Sequence, residues 1–422
     1  MPFSELSNYR SRAWAEISRR TTASTVITWV CRIVVGAAFI LGGWAKCIDP
    51  YGTLYKMLEY IHAWGFYTMP REPVVMAAVA LGVAELTIGV CCITGVLRHS
   101  AAVAASAMMC FMLPLTAYIA IANPVSDCGC FGDLLILSNT ATFLKNVVLA
   151  AACVWLLLRN NCCHGLFIRQ LQWLPLAATI IYALVLAAIG YNVQPTVDFR
   201  PYPVGACLAQ DDDAEITAFE YTRGGKTRTF DIDNLPDSTW TYVGPAGARE
   251  EAETTFAVFD SNGMEAEIFE PEGKQLIFVV PDPGEHFLTR SRFANELARY
   301  AALHGVESAA IVGTSAAGIR EWSLLAAPEF EVYSADDTDL KTLVRGDIAA
   351  VYLNDGKIVW KRNLASLDTD ITEKAALHEN ALDTLSVPDD GTLATVLTAV
   401  YIVILMLGIV ATATVRITRR RR

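Results

Sequence analysis

The chain has 422 residues, a formal net charge of −11 and 53% hydrophobic residues, with a mean hydropathy of +0.36. Such apolar content excludes a single soluble globular fold and leaves room for a membrane part plus a separate domain. The acidic balance argues against nucleic acid as a partner.

Residues 1–25 read as a basic tail, with Arg10, Arg12, Arg19 and Arg20. A hydrocarbon core takes about 20 apolar residues to cross. Runs of that kind occupy Val26 to Ala45, Val74 to Leu97, Ala101 to Ala122 and Ala141 to Leu158, all within a membrane domain spanning 26–160. Two more lie at Trp173 to Tyr191 and Leu393 to Val415, so six transmembrane helices are expected. The other basic clusters flanking the runs fall on the same side: Arg98 and His99 between the second and third runs, Arg159 and Arg169 between the fourth and fifth, and Arg416 with Arg419 to Arg422 after the sixth. Positive charge resists translocation, so both termini are expected in the cytoplasm of a bacterial inner membrane. The first run carries Arg32 and has no small-residue cleavage pattern, which makes it an anchor rather than a signal peptide. Arg32 lies near the inner end of its run, where its head can snorkel.

This topology places three stretches in the periplasm: the loop from Cys47 to Pro73, the loop carrying Cys128 and Cys130, and everything from Asn192 to Thr392. Disulfides persist in that compartment. Of the 11 cysteines, Cys31, Cys91, Cys92, Cys110 and Cys153 fall inside runs and read as small packing residues. Cys162-Cys163-His164 falls in a cytoplasmic loop and lacks the ligands of a zinc site. Cys47, Cys128, Cys130 and Cys207 are within reach of periplasmic redox chemistry.

In Asp127-Cys128-Gly129-Cys130-Phe131-Gly132-Asp133, two thiols one glycine apart can meet only through a tight turn, which glycine permits. A bridge in so small a ring is strained, and strained, exposed disulfides are the labile kind. Redox exchange, a static disulfide and metal capture all remain open, although zinc would need two further ligands and the loop adds only Asp127 and Asp133. Glu85 lies about halfway along its run, where a carboxylate is costly and turns inward. It either relays a proton during thiol oxidation or pairs with Lys46, Lys145 or Asn146.

The first 160 residues resemble the DoxX/MauE group of bacterial membrane proteins. The resemblance rests on Arg32 with Gly36-Ala37-Ala38-Phe39-Ile40, on Gly42-Gly43-Trp44-Ala45-Lys46 before Asp49-Pro50, on Ala84-Glu85-Leu86-Thr87-Ile88-Gly89, and on Cys128-Gly129-Cys130-Phe131-Gly132-Asp133 before Phe143-Leu144-Lys145-Asn146. It implies a four-helix membrane bundle linked to periplasmic thiol oxidation or to maturation of disulfide-containing enzymes.

Beyond the fifth run, Asp198-Phe199-Arg200-Pro201-Tyr202-Pro203 is an extended exit. Acidic runs such as Asp211-Asp212-Asp213 and Glu250-Glu251 read as solvated surface. Residues 192–273 read as a strand-rich lead-in, with strands at Ala218 to Tyr221, Thr227 to Ile232 and Phe256 to Phe259 and turns at Gly224-Gly225 and Asn262-Gly263. Residues 274–368 then alternate strands and helices, as in an α/β layer. Strands are expected at Gln275 to Val280, Ser308 to Val312 and Glu331 to Ser334, with helices at Leu288 to His304, Ala316 to Ala326 and Asp339 to Arg345. A hairpin of Ile348 to Leu353 and Lys357 to Lys361 turns about Asn354-Asp355-Gly356.

That order resembles a thioredoxin-like fold, whose enzymes carry Cys-x-x-Cys after the first core strand and a cis-proline before the hairpin. Here Pro281-Asp282-Pro283-Gly284-Glu285-His286 and Gly346-Asp347-Ile348 stand in those places, and no cysteine follows Cys207. The domain is therefore expected to be redox-dead and to dock a client. His286 and His304 read as ordinary surface or packing residues. A linker of 369–392 leads to the sixth run and to the basic tail 416–422.

The expected whole is a membrane α-helical bundle of six spans with a DoxX/MauE-like four-helix core and a periplasmic α/β thioredoxin-like domain. Cys128 and Cys130 form its redox pair, exchanging with Cys47, and Glu85, Lys46, Lys145 and Asn146 support them. The lipid bilayer and a periplasmic protein client are the expected partners, and a quinone is the candidate cofactor. The competing reading is a non-enzymatic assembly factor with a structural disulfide, and a transporter stands a distant third.

Overall fold

The computed structural model describes residues 3–67, 69–125, 127–159, 165–209, 218–223, 226–231, 235–236, 239–245, 257–283, 290–367, 380–385 and 390–421. Cys162, Cys163, His164, the acidic runs 211–213 and 250–251, Gly224, Gly225, Phe256, Gly284, Glu285, His286 and most of the linker 369–392 lie outside these residues. The chain divides into two compact units, Met1–Val197 with Pro388–Arg422, and Asp198–Val387.

In the first unit the helices are α1 (Phe3–Ile48), α2 (Pro50–Ala63), α3 (Arg71–Thr94), α4 (Arg98–Ala122), α5 (Asn139–Arg159) and α6 (Trp173–Asn192), with a C-terminal helix at Asp390–Arg421. Among the described residues, six segments are long and apolar enough to cross a membrane: Thr22–Ile48, Arg71–Thr94, Arg98–Ala122, Asn139–Arg159, Arg169–Asn192 and Thr392–Arg419. Lipid tails do not drive helices together, so close backbone approach must supply the contact energy. Two glycines make that approach between α1 and α3. A Cβ on Gly43 would stand 2.2 Å from the Leu86 nitrogen, and one on Gly89 would stand 2.7 Å from the Ile40 nitrogen. The C-terminal helix is joined to α6 by hydroxyl pairs, Thr179 with Tyr401 at 2.7 Å and Tyr182 with Thr398 at 2.8 Å.

Two expectations change here. Cys47 to Pro73 is not simply a loop, because α2 fills most of it. The Asp49 carboxylate accepts from the Gly52 amide at 2.8 Å and Pro50 opens the first turn, a cap and a preset φ that start a helix. Tyr51 and Leu54 then bury against Val74. Arg32 does not snorkel: it is 1% exposed, with its guanidinium 5.4 Å from the centre of the Trp29 ring.

The second unit contains a small antiparallel sheet of β1 (Ala218–Arg223), β2 (Lys226–Asp231) and β3 (Thr241–Pro245), ordered β2-β1-β3. Its main sheet contains β4 (Lys274–Val280), β5 (Glu307–Val312), β6 (Glu331–Ser334), β7 (Ala349–Asn354) and β8 (Lys357–Asn363), ordered β6-β5-β4-β7-β8. β4, β5 and β6 run parallel and β7 and β8 antiparallel. The helices α7 (Ser291–Leu303), α8 (Ala316–Ala326) and α9 (Asp337–Leu343) fill the connections. β4 is apolar from Leu276 to Val280 because both its faces are covered there. Leu276, Phe278 and Val280 pack with α7 and α8, whereas Ile277 and Val279 pack with Leu340 and Leu343 of α9. This is an α/β domain with the strand order of a thioredoxin-like fold, plus β6 at one edge.

Several boundaries move for local reasons. α9 begins earlier than expected because the Asp336 carboxylate caps the Thr338 amide at 2.8 Å. The expected strand ending at Phe259 is reduced to isolated bridges from Phe259 to Ser334 and Glu265. The hairpin turn holds Asp355 at φ 50° and Gly356 at φ 69°, as a type I′ turn demands. His304 is an exposed residue at the C-terminal end of α7, with Nδ1 2.9 Å from the Tyr300 carbonyl.

Both edges of the main sheet carry chain. Phe259 exchanges backbone bonds with Ser334 of β6, and Gly205, Ala206 and Leu208 bond along β8 at Ile358 and Gly356. Residues 198–202 are clasped to β8 by buried charge. The Lys361 ammonium donates to the Tyr202 carbonyl at 2.6 Å, the Leu343 carbonyl at 3.0 Å and the Asp198 carboxylate at 2.5 Å. Arg200 holds the same carboxylate in a fork, Nε at 2.6 Å and Nη2 at 2.8 Å.

Candidate functional site

Between α4 and α5 the chain must reverse within a short loop, and the loop ends are tied by Asn139, which donates to the Asn123 side chain at 2.6 Å and to the Val125 carbonyl at 3.1 Å. Gly129 takes φ +65°, a left-handed conformation that L side chains resist, and so lets the cysteines on either side turn toward each other. Their sulfurs stand 2.8 Å apart as free thiols.

Three side chains from other helices hold this turn. Lys56 and Tyr60 lie one turn apart on α2. Lys56 pairs with Asp127 at 3.0 Å, and the Tyr60 hydroxyl donates to the Cys128 carbonyl at 3.1 Å. Asp127 in turn accepts from the Gly129 amide at 2.7 Å. From α1, the Lys46 ammonium donates to the Cys130 carbonyl at 2.6 Å and to the Glu85 carboxylate at 2.7 Å. Lys46 and Glu85 are both buried, so each charge is answered within the bundle as a low-dielectric site requires. Glu85 thus chooses Lys46 among its three expected partners. Asn146 donates to the Thr116 hydroxyl at 3.2 Å. The Lys145 ammonium lies 4.2 Å from the centre of the Phe131 ring, and among the described residues it makes no ion pair or hydrogen bond.

The thiols are electrostatically unequal. The hydrogen bond with Cys128 holds the Cys130 thiol below the ordinary thiol range, with help from the positive charges of Lys145 and Lys46 and against the upward push of burial. The same contact, together with burial, pushes Cys128 well above the ordinary thiol range. A pair of this kind has one sulfur ready to act as a thiolate near neutral pH and one that keeps its proton. The loop is folded against the bundle, because Cys128 is 9% exposed and packs with Ile119 and Val125.

Cys128, Cys130, Lys46, Glu85, Lys145 and Asn146 all line one cavity of about 560 Å³. Thr53, Lys56 and Tyr60 also line it, and the rest of its wall is mostly apolar, with Phe39, Met57, Leu81, Met108, Met112 and Leu115. Cys47 does not join them. It is 0% exposed in a separate cluster with Ile48, Leu86 and Leu186. Cys207 is exposed in the second unit. Among the described residues no group of three or more His, Cys, Asp or Glu side chains is arranged to hold a metal ion.

The sequence reading missed Lys56 and Tyr60. Asp49-Pro50 followed by apolar residues at helical spacing was the signal for α2, and Lys56 and Tyr60, four apart, were its polar marks on one face.

Residues 24–159 match the family described as Methylamine utilisation protein MauE. The match takes in the first four spans and the whole of this site. Residues 216–245 match a family described as Domain of unknown function (DUF8463). No curated protein matches the chain. Among solved structures, a peroxiredoxin-like protein from Aquifex aeolicus is similar at 15% identity, over 28% of this chain and 80% of that one, with a TM-score of 0.23. The fold of the second unit therefore rests on its own strand order.

Proposed function

We propose that the MauE-like bundle carries out thiol–disulfide exchange at Cys128 and Cys130 in a bacterial inner membrane. Both termini lie in the cytoplasm, and the second unit lies in the periplasm, where it docks a protein client. The DoxX side of the sequence resemblance belongs to the same reading. The observation that carries it is the 2.8 Å approach of two thiols of unequal acidity, in a turn clamped by Lys46, Lys56 and Tyr60.

With the pair oxidised, a client thiolate attacks one of its sulfurs and forms a mixed disulfide. The second client thiol then resolves that bond. One S–S bond breaks and one forms, and two hydrogens pass from the client to Cys128 and Cys130, so this step needs no outside oxidant. Cys130 is the better leaving group because the less basic thiolate leaves faster. The MauE match is compatible with such a membrane redox role. The second unit supplies no thiol of its own after Cys207.

The test is the midpoint potential of the pair in the full chain, read by differential alkylation and mass spectrometry across a glutathione series. A reversible midpoint near about −200 mV, where exchange catalysts lie, is expected. A bridge that stays closed below about −300 mV would instead identify a structural disulfide and a non-enzymatic assembly factor.

A further inference from the structure

Reoxidising the pair requires an acceptor for two electrons and two protons, and the cavity restricts what that acceptor can be. Phe111 lies mid-way along α4, lines the cavity and is 61% exposed. Trp64 and Met69 also line it and are each 50% exposed. An exposed phenylalanine in the middle of an apolar span faces lipid, so on that side the cavity is open at membrane depth and admits lipid-soluble molecules, while Trp64 and Met69 lie beyond the span ends. A volume of about 560 Å³ falls within the range of small-molecule pockets. The walls are apolar, and the polar groups gather at one end. There the ammonium of Lys145 has no ion pair or hydrogen bond among the described residues, whereas that of Lys46 is occupied by Glu85 and by the Cys130 carbonyl.

We infer that this cavity is the binding site of a lipid-soluble quinone, with its ring at the thiol end, one ring carbonyl accepting a hydrogen bond from Lys145 and its tail along the methionine-lined wall. This rests on the thiol-exchange reading above and names the oxidant that completes it. The balance closes without another reactant. Cys128 and Cys130 each lose an S–H bond, one S–S bond forms, and the two electrons and two protons convert both carbonyls of the quinone to hydroxyls. Lys145 binds and orients the ring, while Lys46 and Glu85 fix the Cys130 carbonyl and so the distance of its sulfur from the ring.

The experiment uses the full chain, reduced and freed of reductant, in lipid nanodiscs without oxygen. Decylubiquinone and menaquinone-1 are added in separate arms, and diamide, a water-soluble thiol oxidant, in a third. The readouts are free Cys128 and Cys130 thiols by mass spectrometry and quinol formed. One quinol per bridge is expected in at least one quinone arm, and the arm that reacts identifies a benzoquinone or a naphthoquinone as the ligand class. Met112→Trp fills the wall and is expected to slow quinone-driven oxidation at least about tenfold while leaving diamide oxidation unchanged, which also shows that the loop is intact. Lys145→Met removes a charged donor and is expected to raise the half-saturating quinone concentration by about tenfold. Wild-type thiols that diamide closes and neither quinone touches would overturn the quinone site and leave the exchange reading standing. Thiols that diamide cannot close would overturn both. A Met112→Trp chain oxidised by quinone as fast as wild type would overturn the placement in this cavity.

Discussion

Lys46 holds the backbone of Cys130: its ammonium stands 2.6 Å from that carbonyl oxygen while also meeting Glu85 at 2.7 Å. One buried cation thereby joins α1, α3 and the thiol loop. Charge neutrality inside the bundle and the shape of the redox turn depend on the same side chain.

Replacing Lys46 with methionine leaves the Glu85 carboxylate buried without its cation. Such a change costs about 3–5 kcal/mol, and a marked fall in the thermal midpoint of the detergent-solubilised chain is expected. Adding Glu85→Leu to the same chain should recover much of the loss. A double variant no more stable than Lys46→Met would show that Glu85 does not depend on Lys46.

Tyr60→Phe deletes the hydroxyl that donates to the Cys128 carbonyl at 3.1 Å and keeps the ring. About 1 kcal/mol of local stability should be lost, which corresponds to roughly fivefold faster amide exchange across the turn. Hydrogen exchange of the peptide holding residues 127–131, read by mass spectrometry, checks it.

Gly129→Ala places a Cβ at φ +65°, 2.7 Å from Cγ of Lys56. The conformation alone costs about 1–2 kcal/mol, and Lys56 must move as well. The expected result is a lower thermal midpoint and weaker closure of the Cys128–Cys130 bridge at any given glutathione potential.

The Cys130 thiol, held below the ordinary thiol range by Cys128, Lys145 and Lys46, should set the pH profile of alkylation. A lowered value means the thiolate is present at lower pH than for an ordinary thiol, so the rate with a small methanethiosulfonate should rise and level off below the ordinary value of 9.0. Cys128, pushed upward, should react far more slowly. Lys145→Met should move the rise to higher pH, and a profile that rises only at or above the ordinary thiol value of 9.0 would contradict the assignment.

In the second unit, Asp198 is held below the usual carboxylate range: burial raises it, but Arg200 and Lys361 outweigh burial. A carboxyl depressed on folding contributes stability that is present above its unfolded value of 3.8 and is lost as pH falls through the folded one. Lys361 is pulled the other way, down to about 8, first by burial and then by Arg200. A lysine depressed on folding binds its proton less tightly in the folded state, so stability should rise with pH from about 8 toward its unfolded value of 10.5. Hydrogen exchange of β8 in the full chain should show protection falling in acid. In Lys361→Met, which leaves Asp198 with Arg200 alone, protection should be lower already at pH 7.

The thioredoxin-like succession of strands and helices was legible because Leu276 to Val280 is an unbroken apolar run, α7 and α8 have helical spacing, and Asn354-Asp355-Gly356 forms a tight hairpin turn. Ala316–Ala326 and Glu331–Ser334 form as read. Helix α2 was obscured because its residues mix aromatic, apolar and charged types, and only its cap announces it. Arg32 was misplaced because position along a span says nothing about which way a side chain faces.

The sequence by itself determined the six spans and the neighbouring positions of Cys128 and Cys130. It likewise determined the loss of the Cys-x-x-Cys pair from the second unit. Hydrophobic length, adjacency and residue identity are local properties, written in consecutive residues. Tertiary structure alone decided that Glu85 pairs with Lys46, that Cys47 is sealed away from the thiols, and that Tyr60 and Lys56 clamp the loop. Those outcomes depend on which helix faces meet. That is set by backbone approach at glycines such as Gly43 and Gly89, and by the need to answer every buried charge within a bundle where water cannot.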